Sequence, residues 1–470
     1  MKLYEQVAQS MIERIEQGYY FDGDKLPSIR SLSQSHEVSI STAQEAYRVL
    51  EDDGWAESRF KSGYYVRKPR DTSLELPALT RPKQMPLEVG QWDDVLNLVN
   101  ANSDYSVVNL GRGSPNFSAS TLSPLIRVQS EINRKSPLDT LAYGNLQGHS
   151  ELRKQIVRLM VDSGCRLHPD EIVTTTGCQE ALSVCLRTVA QPGDVVAVDS
   201  PSFYGSMQAF KAQGLKVLEI PTHPSTGMSL EALELALEQW PVKVIQLTPT
   251  CNSPLGYTMP VENKKTLLNL AAQYDIAIIE DDIYGDLAYH SPRPPSIKSF
   301  DTDGRVLFCS SFSKTLAPGF RVGWTSPGRY LDQVLYLKYV VTACTSTLPQ
   351  LAIAEFIAQG GYERHVRKMR KQYQLNRDLM TQCVERYFPG DTRITKPEGG
   401  FVLWVELKQK IDTVELNDRC LAKGVSIAPG SLFSSSGKYN SCMRLNYSFE
   451  PFERNENAVK TIGELISASN

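Results

Sequence analysis

Four short apolar runs in the middle of the chain constrain its fold more than any other feature. They are rich in β-branched residues, each ends in polar residues, and helical stretches separate them: DVVAVDSP, VKVIQLTP, IAIIEDD and RVLFCSSFS. Apolar strands that alternate with helices are typical of a parallel sheet covered on both faces. Because ligands bind at the carboxyl ends of such strands, the polar residues there predict the functional site.

The pattern changes along the 470 residues and predicts four parts. Residues 1–69 show short helical repeats and then two strands around a glycine turn, in WAESRFKSGYYV. Prolines interrupt residues 70–106, which favours a linker. Residues 107–325 carry the strand and helix alternation of a large α/β domain, and residues 326–470 mix long helices with GGFVLWVEL and SCMRLNYSF, which indicates a smaller α+β domain.

Composition excludes several classes of protein. The formal charge of −3 predicts no overall attraction to nucleic acid or membrane. Nine cysteines without a C-x-x-C pair favour free thiols in a reducing cytoplasm over disulfides or a metal site. The uncharged stretch 339–354 contains Pro349 and several hydroxyl residues, so we do not expect it to span a membrane. The charged N-terminal stretch is not a secretory signal.

A phosphate site is predicted where TTTGCQEAL passes from a strand into a helix. Gly177 occupies the turn, and the backbone N–H groups of Cys178 and Gln179 would be free at the positive end of the helix. Three residues of SSFSKTLAPGFRVGW could add hydroxyl and guanidinium donors to the same phosphate: Ser311, Ser313 and Arg321.

The neighbouring strand ends supply the other groups that an aromatic aldehyde cofactor needs. Asp281 ends a buried strand and requires a cationic partner, which a protonated ring nitrogen would provide. Tyr284 follows one turn later. Phe203 could stack on the ring and is favoured over Tyr204, although either of them could belong to the core. Lys314 is the amine placed to condense with a carbonyl. Phosphate, ring nitrogen and aldehyde together indicate pyridoxal 5'-phosphate, PLP.

From about residue 107 to the C-terminus, the chain resembles the fold-type I aminotransferases, and SSFSKTLAPGFRVGW is similar to their cofactor-lysine motif. The resemblance implies that Lys314 forms a Schiff base with PLP, that Asp281 holds the ring nitrogen and that Tyr284 contacts the ring hydroxyl. It implies that Arg444 binds a substrate carboxylate and that Tyr143 reaches the partner's site in a homodimer. The family's NPxG loop has Asn directly before Pro. CNSPLG has Ser253 there and Asn252, the expected ring contact, one place earlier.

Residues 1–69 are similar to the winged helix-turn-helix of GntR-type regulators, and the whole chain resembles the MocR-type arrangement of that module with an aminotransferase-like domain. Residues 1–70 are not basic overall, with 10 Lys/Arg and 11 Asp/Glu. A protein-interaction module is therefore an alternative, although the basic run from residue 58 to 70 favours DNA. We expect the contacts to double-stranded DNA to come from Arg30, Ser41, Thr42, Gln44, Lys61 and Gly63.

The sequence therefore predicts a cytoplasmic, PLP-dependent transcriptional regulator. Its N-terminal winged helix-turn-helix would bind an operator, and its fold-type I domain would sense an amine or amino acid that carries a carboxylate. The alternative is a catalytically active aminotransferase of amino acids with an accessory DNA-binding module.

Overall fold

The computed structural model describes residues 2–59, 62–67, 73–90, 92–101, 106–117, 120–449 and 451–469. The N-terminal module consists of three helices and a two-stranded wing: α1 (Leu3–Glu16), α2 (Ile29–Ser35), α3 (Ile40–Asp52), β1 (Ala56–Arg59) and β2 (Gly63–Val66). Met11, Leu32, Ala46 and Leu50 form its buried core with their neighbours. The predicted winged helix-turn-helix is therefore confirmed.

The turn into α3 is fixed by a serine cap. Ser39 has extended backbone, and its Oγ accepts a hydrogen bond from the Thr42 amide at 3.1 Å. Ser41 lies inside the helix, so Ser39 is the N-cap.

The segment that follows the N-terminal module lies against the large domain. Leu87 exchanges two backbone hydrogen bonds with Val217, at 2.9 and 2.8 Å, and the Thr222 amide donates to the Thr80 hydroxyl at 2.8 Å. The helix α4 (Trp92–Ala101) buries Leu98 against the large domain. These contacts attach much of the described linker to the large domain.

The large domain is built on an eight-stranded sheet of order β4-β11-β10-β9-β8-β5-β6-β7. The strands from β10 to β6 in this order run parallel, whereas β4/β11, β11/β10 and β7/β6 pair antiparallel. The predicted, mainly parallel sheet is confirmed. From β3 to β11 the elements are β3 (Val108–Asn109), α5 (Ser123–Lys135), α6 (Pro137–Leu141), α7 (Ser150–Val161), β4 (Val173–Thr175), α8 (Cys178–Val189), β5 (Val195–Ser200), α9 (Tyr204–Ala212), β6 (Lys216–His223), β7 (Gly227–Met228), α10 (Leu230–Gln239), β8 (Val242–Leu247), α11 (Val261–Gln273), β9 (Ala277–Asp281), β10 (Val306–Ser311) and β11 (Gly323–Ser326).

The C-terminal part packs helices on a four-stranded sheet of order β12-β13-β16-β15. Its elements are α12 (Leu331–Val341), α13 (Thr347–Ala358), α14 (Gly361–Tyr387), β12 (Arg393–Ile394), β13 (Val402–Glu406), α15 (Thr413–Leu421), β14 (Val425–Ser426), β15 (Ala428–Pro429), β16 (Cys442–Asn446) and α16 (Phe452–Ser467). The early strand β3 pairs with β14, so residues near 108 join this part. Among the helices that the structure describes, none combines the length and the apolar character needed to cross a membrane.

The N-terminal module contacts the C-terminal part mainly through α14. Lys371 pairs with Glu51 at the end of α3, with 3.0 Å between Nζ and Oε1. Asp378 pairs with Arg67 after β2, at 2.7 Å. The end of α3 therefore lies against the C-terminal part, while its beginning points away from these contacts.

Candidate functional site

The phosphate side of the site is assembled at the start of α8. Gly177 has φ 86°, which favours glycine, and a Cβ there would lie 2.4 Å from Nη2 of Arg321 and displace this guanidinium. Arg321 donates to the Thr176 carbonyl at 3.1 Å and to the Ser313 hydroxyl at 3.3 Å. The first amides of α8 have no intrahelical acceptor. A guanidinium, a hydroxyl and a helix N-terminus thus meet at one point, a suitable arrangement for a phosphate.

Asp281 supplies a buried carboxylate on the far side of the same cavity. It accepts hydrogen bonds from the Ile283 amide at 3.2 Å and the Cys178 thiol at 3.5 Å. Burial raises the pKa of Asp281 to about 6. No arginine, lysine or histidine of the described residues forms an ion pair with it, so this carboxylate is available to a cationic ring nitrogen.

Phe203 lines the cavity, whereas the adjacent Tyr204 is not among the lining residues and packs beside Phe203, with 4.7 Å between the two ring centroids. The Tyr204 ring makes an edge contact with Phe433, at 5.6 Å between centroids. Tyr284 also lines the cavity, and burial raises the pKa of its hydroxyl. Aromatic rings are therefore available around a planar ligand.

Lys314 follows β10 and extends into the cavity. Its amine donates to the Gly113 carbonyl and lies 5.9 Å from the centroid of the Tyr284 ring. Burial, and then the positive charges of Arg444 and Arg321, lower the pKa of Lys314 to about 8. A lysine with a lowered pKa holds more neutral amine near neutral pH and is a better nucleophile there.

Arg444 is a fully buried cation on β16. Its Nη2 donates to the Gly111 carbonyl at 2.6 Å, and its guanidinium lies 5.1 Å from the centroid of the Phe433 ring. Its Nε has no partner, and no carboxylate of the described residues pairs with it. A Cβ added to Gly113 would lie 3.5 Å from Arg444 and 3.6 Å from Lys314, so both cations reach the same place. A ligand carboxylate would supply the missing partner.

Asn252 and Ser253 have different surroundings although they are adjacent. The side-chain amide nitrogen of Asn252 donates to the Asp199 carboxylate at 3.2 Å and to the Tyr257 hydroxyl at 3.3 Å. Its Oδ1 accepts from the backbone amide of Leu255 at 3.1 Å. Ser253 instead lines the cavity beside Tyr284. The residue that stands directly before Pro254 thus faces the site.

The structure brings most of the predicted cofactor residues to a single cavity of about 140 Å³. Those that line it are Cys178, Gln179, Phe203, Asp281, Tyr284, Ser311, Ser313, Lys314 and Arg321. Gly177 caps the adjoining helix, and Tyr143 lies on the surface, 95% exposed. The lining also contains residues that the sequence analysis did not select: Leu182, Thr248, Ser253 and Ile283. Of these four residues, only Ser253 could have been selected from the sequence, because it occupies the position directly before Pro254.

A buried ion network lies directly behind the site. Arg293 bridges Asp282 and Asp286, with 2.5 Å from a guanidinium nitrogen to each carboxylate. Tyr362 and Arg370 then connect Asp286 to α14, through its carboxylate and its carbonyl respectively. The segment that carries Asp281 and Tyr284 is therefore tied to the helix on which the DNA-binding module rests.

We expect Arg293→Met to lower the free energy of unfolding by about 3–5 kcal/mol, because it leaves two buried carboxylates without their shared cation. Arg59→Met is the matched control. Arg59 also forms a short ion pair, 2.6 Å from Glu57, but its side chain is 52% exposed against 6% for Arg293. An exposed pair contributes about 1 kcal/mol or less. Urea unfolding followed by circular dichroism measures both variants, and equal losses would contradict the expectation.

The predicted DNA contacts lie on the two helices of the helix-turn-helix and on the wing. Arg30, Ser41 and Gln44 are exposed, and Thr42 is half-buried. Gly63 is exposed with φ 106°, which suits the tight turn into β2. Lys61 lies outside the described residues.

Two family models match the chain. Aminotransferase class I and II matches residues 105–462, and the GntR family of bacterial regulatory proteins matches residues 3–66. The GntR match covers the N-terminal module, and the aminotransferase match covers the large domain and most of the C-terminal part.

Similar proteins include regulators and enzymes. The uncharacterized HTH-type transcriptional regulators YjiR and YdcR of Escherichia coli are 48% and 34% identical, each over 99% of both chains. The structure of Pyrococcus horikoshii kynurenine aminotransferase, solved in complex with PMP, is 32% identical with a TM-score of 0.73, and the match covers 80% of this chain and 94% of that one. The chain therefore belongs to the GntR-type regulators that carry an aminotransferase class I and II domain, the MocR-type arrangement.

Proposed function

We propose that this protein is a transcriptional regulator that binds DNA through residues 1–69 and senses a carboxylate-bearing amine with PLP held in its aminotransferase-like domain. The observation that carries this proposal is the placement of Lys314 beside Arg444, a buried cation without a carboxylate partner among the described residues, in a chain with a DNA-binding module.

The residues of the cavity fit PLP. Arg321, Ser313 and the first amides of α8 would bind its phosphate. Asp281 would hold a proton on the ring nitrogen, and Phe203 would stack on the ring. When bound, PLP supplies an aldehyde that condenses with amines and a ring that withdraws electrons. Lys314 would provide the protein's own amine, and Arg444 would orient a ligand carboxylate next to it.

The network behind the site supports sensing. Asp281 and Tyr284 face the cavity, whereas Asp282 and Asp286 bond to Arg293, and Asp286 bonds further to α14. α14 in turn pairs with the end of α3. Contact alone does not create coupling; a ligand must bind two conformations with different affinity. The proposal requires that ligand binding changes the position of this segment and therefore of the module.

A homodimer is part of the proposal. Tyr143 and two apolar residues just before it, Leu138 and Leu141, are all highly exposed, and exposed apolar side chains that cluster rather than scatter singly mark interaction surfaces. Two modules on one dimer would strengthen DNA binding through effective concentration.

A cytoplasmic location is also proposed, and it is supported by the DNA-binding module and the nine unpaired cysteines.

The first experiment combines spectroscopy and DNA binding on the full-length protein. Purified protein is titrated with PLP and then with amino acids and simple amines, while its visible absorption is recorded. A mobility-shift assay on the DNA upstream of its own gene follows under the same conditions. We expect saturable absorption, salt-sensitive specific DNA binding and a change in that binding with at least one amine. Binding to this DNA no better than to random DNA would contradict the regulator.

Aminotransferase activity is the second candidate, because Lys314, Asp281, Tyr284 and Arg444 are all present and oriented toward one region. Lys314 would then also move a proton between ligand atoms as a general base. The release of a keto acid from an amino acid, measured in a single half-reaction, tests it. Absence of keto acid across a broad amine panel, with normal PLP absorption, would leave only the sensing role.

We expect Ser253→Ala to weaken PLP binding several-fold with little change in stability, because it removes a hydroxyl that faces the ring site. Asn252→Ala should do the reverse. It removes the donor that Asn252 provides to the buried Asp199 and Tyr257 side chains, which costs about 1–3 kcal/mol of folding free energy. Affinity for PLP by fluorescence titration and thermal unfolding separate the two effects. Loss of PLP affinity in Asn252→Ala alone would reverse the assignment.

A further inference from the structure

The outward face of α3 carries a pair of residues that suggests which bases it contacts. Ile40, at the first position of the helix, is 55% exposed although it is apolar, and Gln44 is exposed one turn later on the same face. Recognition helices place their N-terminal residues against base edges in the major groove. The opposite end of α3 is held by Lys371 through Glu51, so the N-terminal end is the free one.

The hydroxyl residues of this turn are already engaged. Ser39 Oγ lies 2.8 Å from the Ser41 hydroxyl and 2.8 Å from the Thr42 hydroxyl, in addition to its bond with the Thr42 amide. These three residues therefore form a cap cluster, and a base edge would compete with it for their hydrogen bonds.

The N-terminal half of the helix also carries no cation. The single basic residue of α3, Arg48, pairs with Glu45 at 3.3 Å and with Asp52 at 3.8 Å. Guanine in the major groove is contacted most often by an unpaired Arg or Lys. On α3, which the structure describes completely, the half that carries Ile40 and Gln44 has no Arg or Lys, so its chemistry favours A·T pairs.

We infer that Ile40 contacts a thymine methyl group and Gln44 an adenine edge, so that the half-site bound by α3 consists of A·T pairs. The inference rests on the proposed DNA-binding function. The thymine methyl is the only apolar group that the major groove presents, and glutamine matches adenine N6 and N7. Against any other base, the Ile40 side chain would displace water from the polar edge of that base without replacing the hydrogen bonds that the water made.

The spacing fits neighbouring base pairs. Four residues of helix advance about 6 Å, close to two base-pair steps of about 3.4 Å each. Ile40 and Gln44 would therefore contact bases about two steps apart, which places the thymine and the adenine within one short block of the half-site.

The test begins with selection of binding sites from random DNA duplexes by the full-length protein. Fluorescence anisotropy then compares the selected duplex with one in which uracil replaces thymine in the half-site, which removes only the methyl groups. A third duplex has 7-deazaadenine at its adenines. The variants are Ile40→Ala and Gln44→Ala. Leu235→Ala, which removes an exposed apolar side chain from α10, is the matched control.

We expect uracil to weaken binding about fivefold for the wild-type protein and for Leu235→Ala, and not at all for Ile40→Ala. Replacing adenine by 7-deazaadenine should weaken DNA binding by the wild-type protein by a similar factor and leave DNA binding by Gln44→Ala unchanged. Enrichment of no sequence would contradict the proposed DNA binding itself. A selected half-site of G·C pairs, or equal sensitivity to uracil in Ile40→Ala and wild type, would overturn the inference while leaving DNA binding in place.

Discussion

Lys314→Ala is expected to abolish retention of PLP by this protein and to leave its fold and its intrinsic affinity for DNA unchanged. Lys314 is the lysine that lines the cavity, and its side chain makes one hydrogen bond, to the Gly113 carbonyl. Removing it costs little packing but removes the amine that condenses with the aldehyde. After desalting, the wild-type protein should keep its visible absorption and the variant should lose it completely.

The same lysine predicts how PLP attachment depends on pH. Burial and the nearby Arg444 and Arg321 lower the pKa of Lys314 to about 8. The neutral amine is the reactive form, so its fraction grows as the pH rises through this value. The attachment rate at low PLP concentration should increase about tenfold between pH 7 and pH 9 and then level off, whereas a lysine with an ordinary pKa near 10.4 would continue to accelerate. Stopped-flow absorbance measures the profile.

The DNA response provides the decisive readout for sensing. If PLP acts through Lys314, a mobility-shift assay should show a PLP effect for the wild-type protein and none for Lys314→Ala. A PLP effect of equal size in both proteins would mean that the cofactor acts without this lysine, and the sensing proposal would be wrong.

The strand ends could be predicted from the sequence because their chemistry is local. Asp281 and Ser311 end adjacent parallel strands, β9 and β10, and a run of apolar residues that stops at a polar one marks such an end. The glycine turn before α8 was visible for the same reason. Local patterns were therefore sufficient to gather the groups that line the cavity.

The choice between Asn252 and Ser253 could not be predicted in this way. Both are polar, they are neighbours, and only the course of the backbone decides which of them faces the cavity. That course is set by two hydrogen bonds of the loop, from the Asn252 amide to the Tyr257 carbonyl and from the Gly256 amide to the Asn252 carbonyl. Nothing in the spacing of CNSPLG specifies them.

The linker and the domain contacts depend on pairs that are distant in sequence. The prolines of residues 70–106 predict a spacer, yet Leu87 pairs with Val217 and Thr80 bonds to Thr222. The ion pair between Arg67 and Asp378 likewise joins residues 311 positions apart. Such contacts leave no periodic signal, since each depends on a surface that exists only after the partner domain has folded.

Arg444→Met should cause the largest loss of ligand affinity while leaving the protein as stable as before, or more stable. The guanidinium is fully buried, has an unpartnered Nε and meets no carboxylate among the described residues. Its burial is costly for the ligand-free protein, and an apolar side chain of similar length removes that cost. Without it, a ligand carboxylate would be buried without a cation. We expect about 100-fold weaker binding, equivalent to ~2.7 kcal/mol.

Arg305→Met is the matched control for Arg444→Met. Arg305 is also buried, but it pairs with Asp303 at 2.5 Å and donates to the carbonyls of Ala271 and Ile276. The Arg305→Met variant should therefore be less stable than the wild-type protein and bind the ligand with the same affinity. A second comparison uses each amino acid and the amine that lacks its carboxylate: the wild-type protein should prefer the amino acid, and Arg444→Met should not. Because a purely structural arginine would follow the pattern of Arg305, an unstable Arg444→Met that retains the preference would remove the carboxylate site from the proposal.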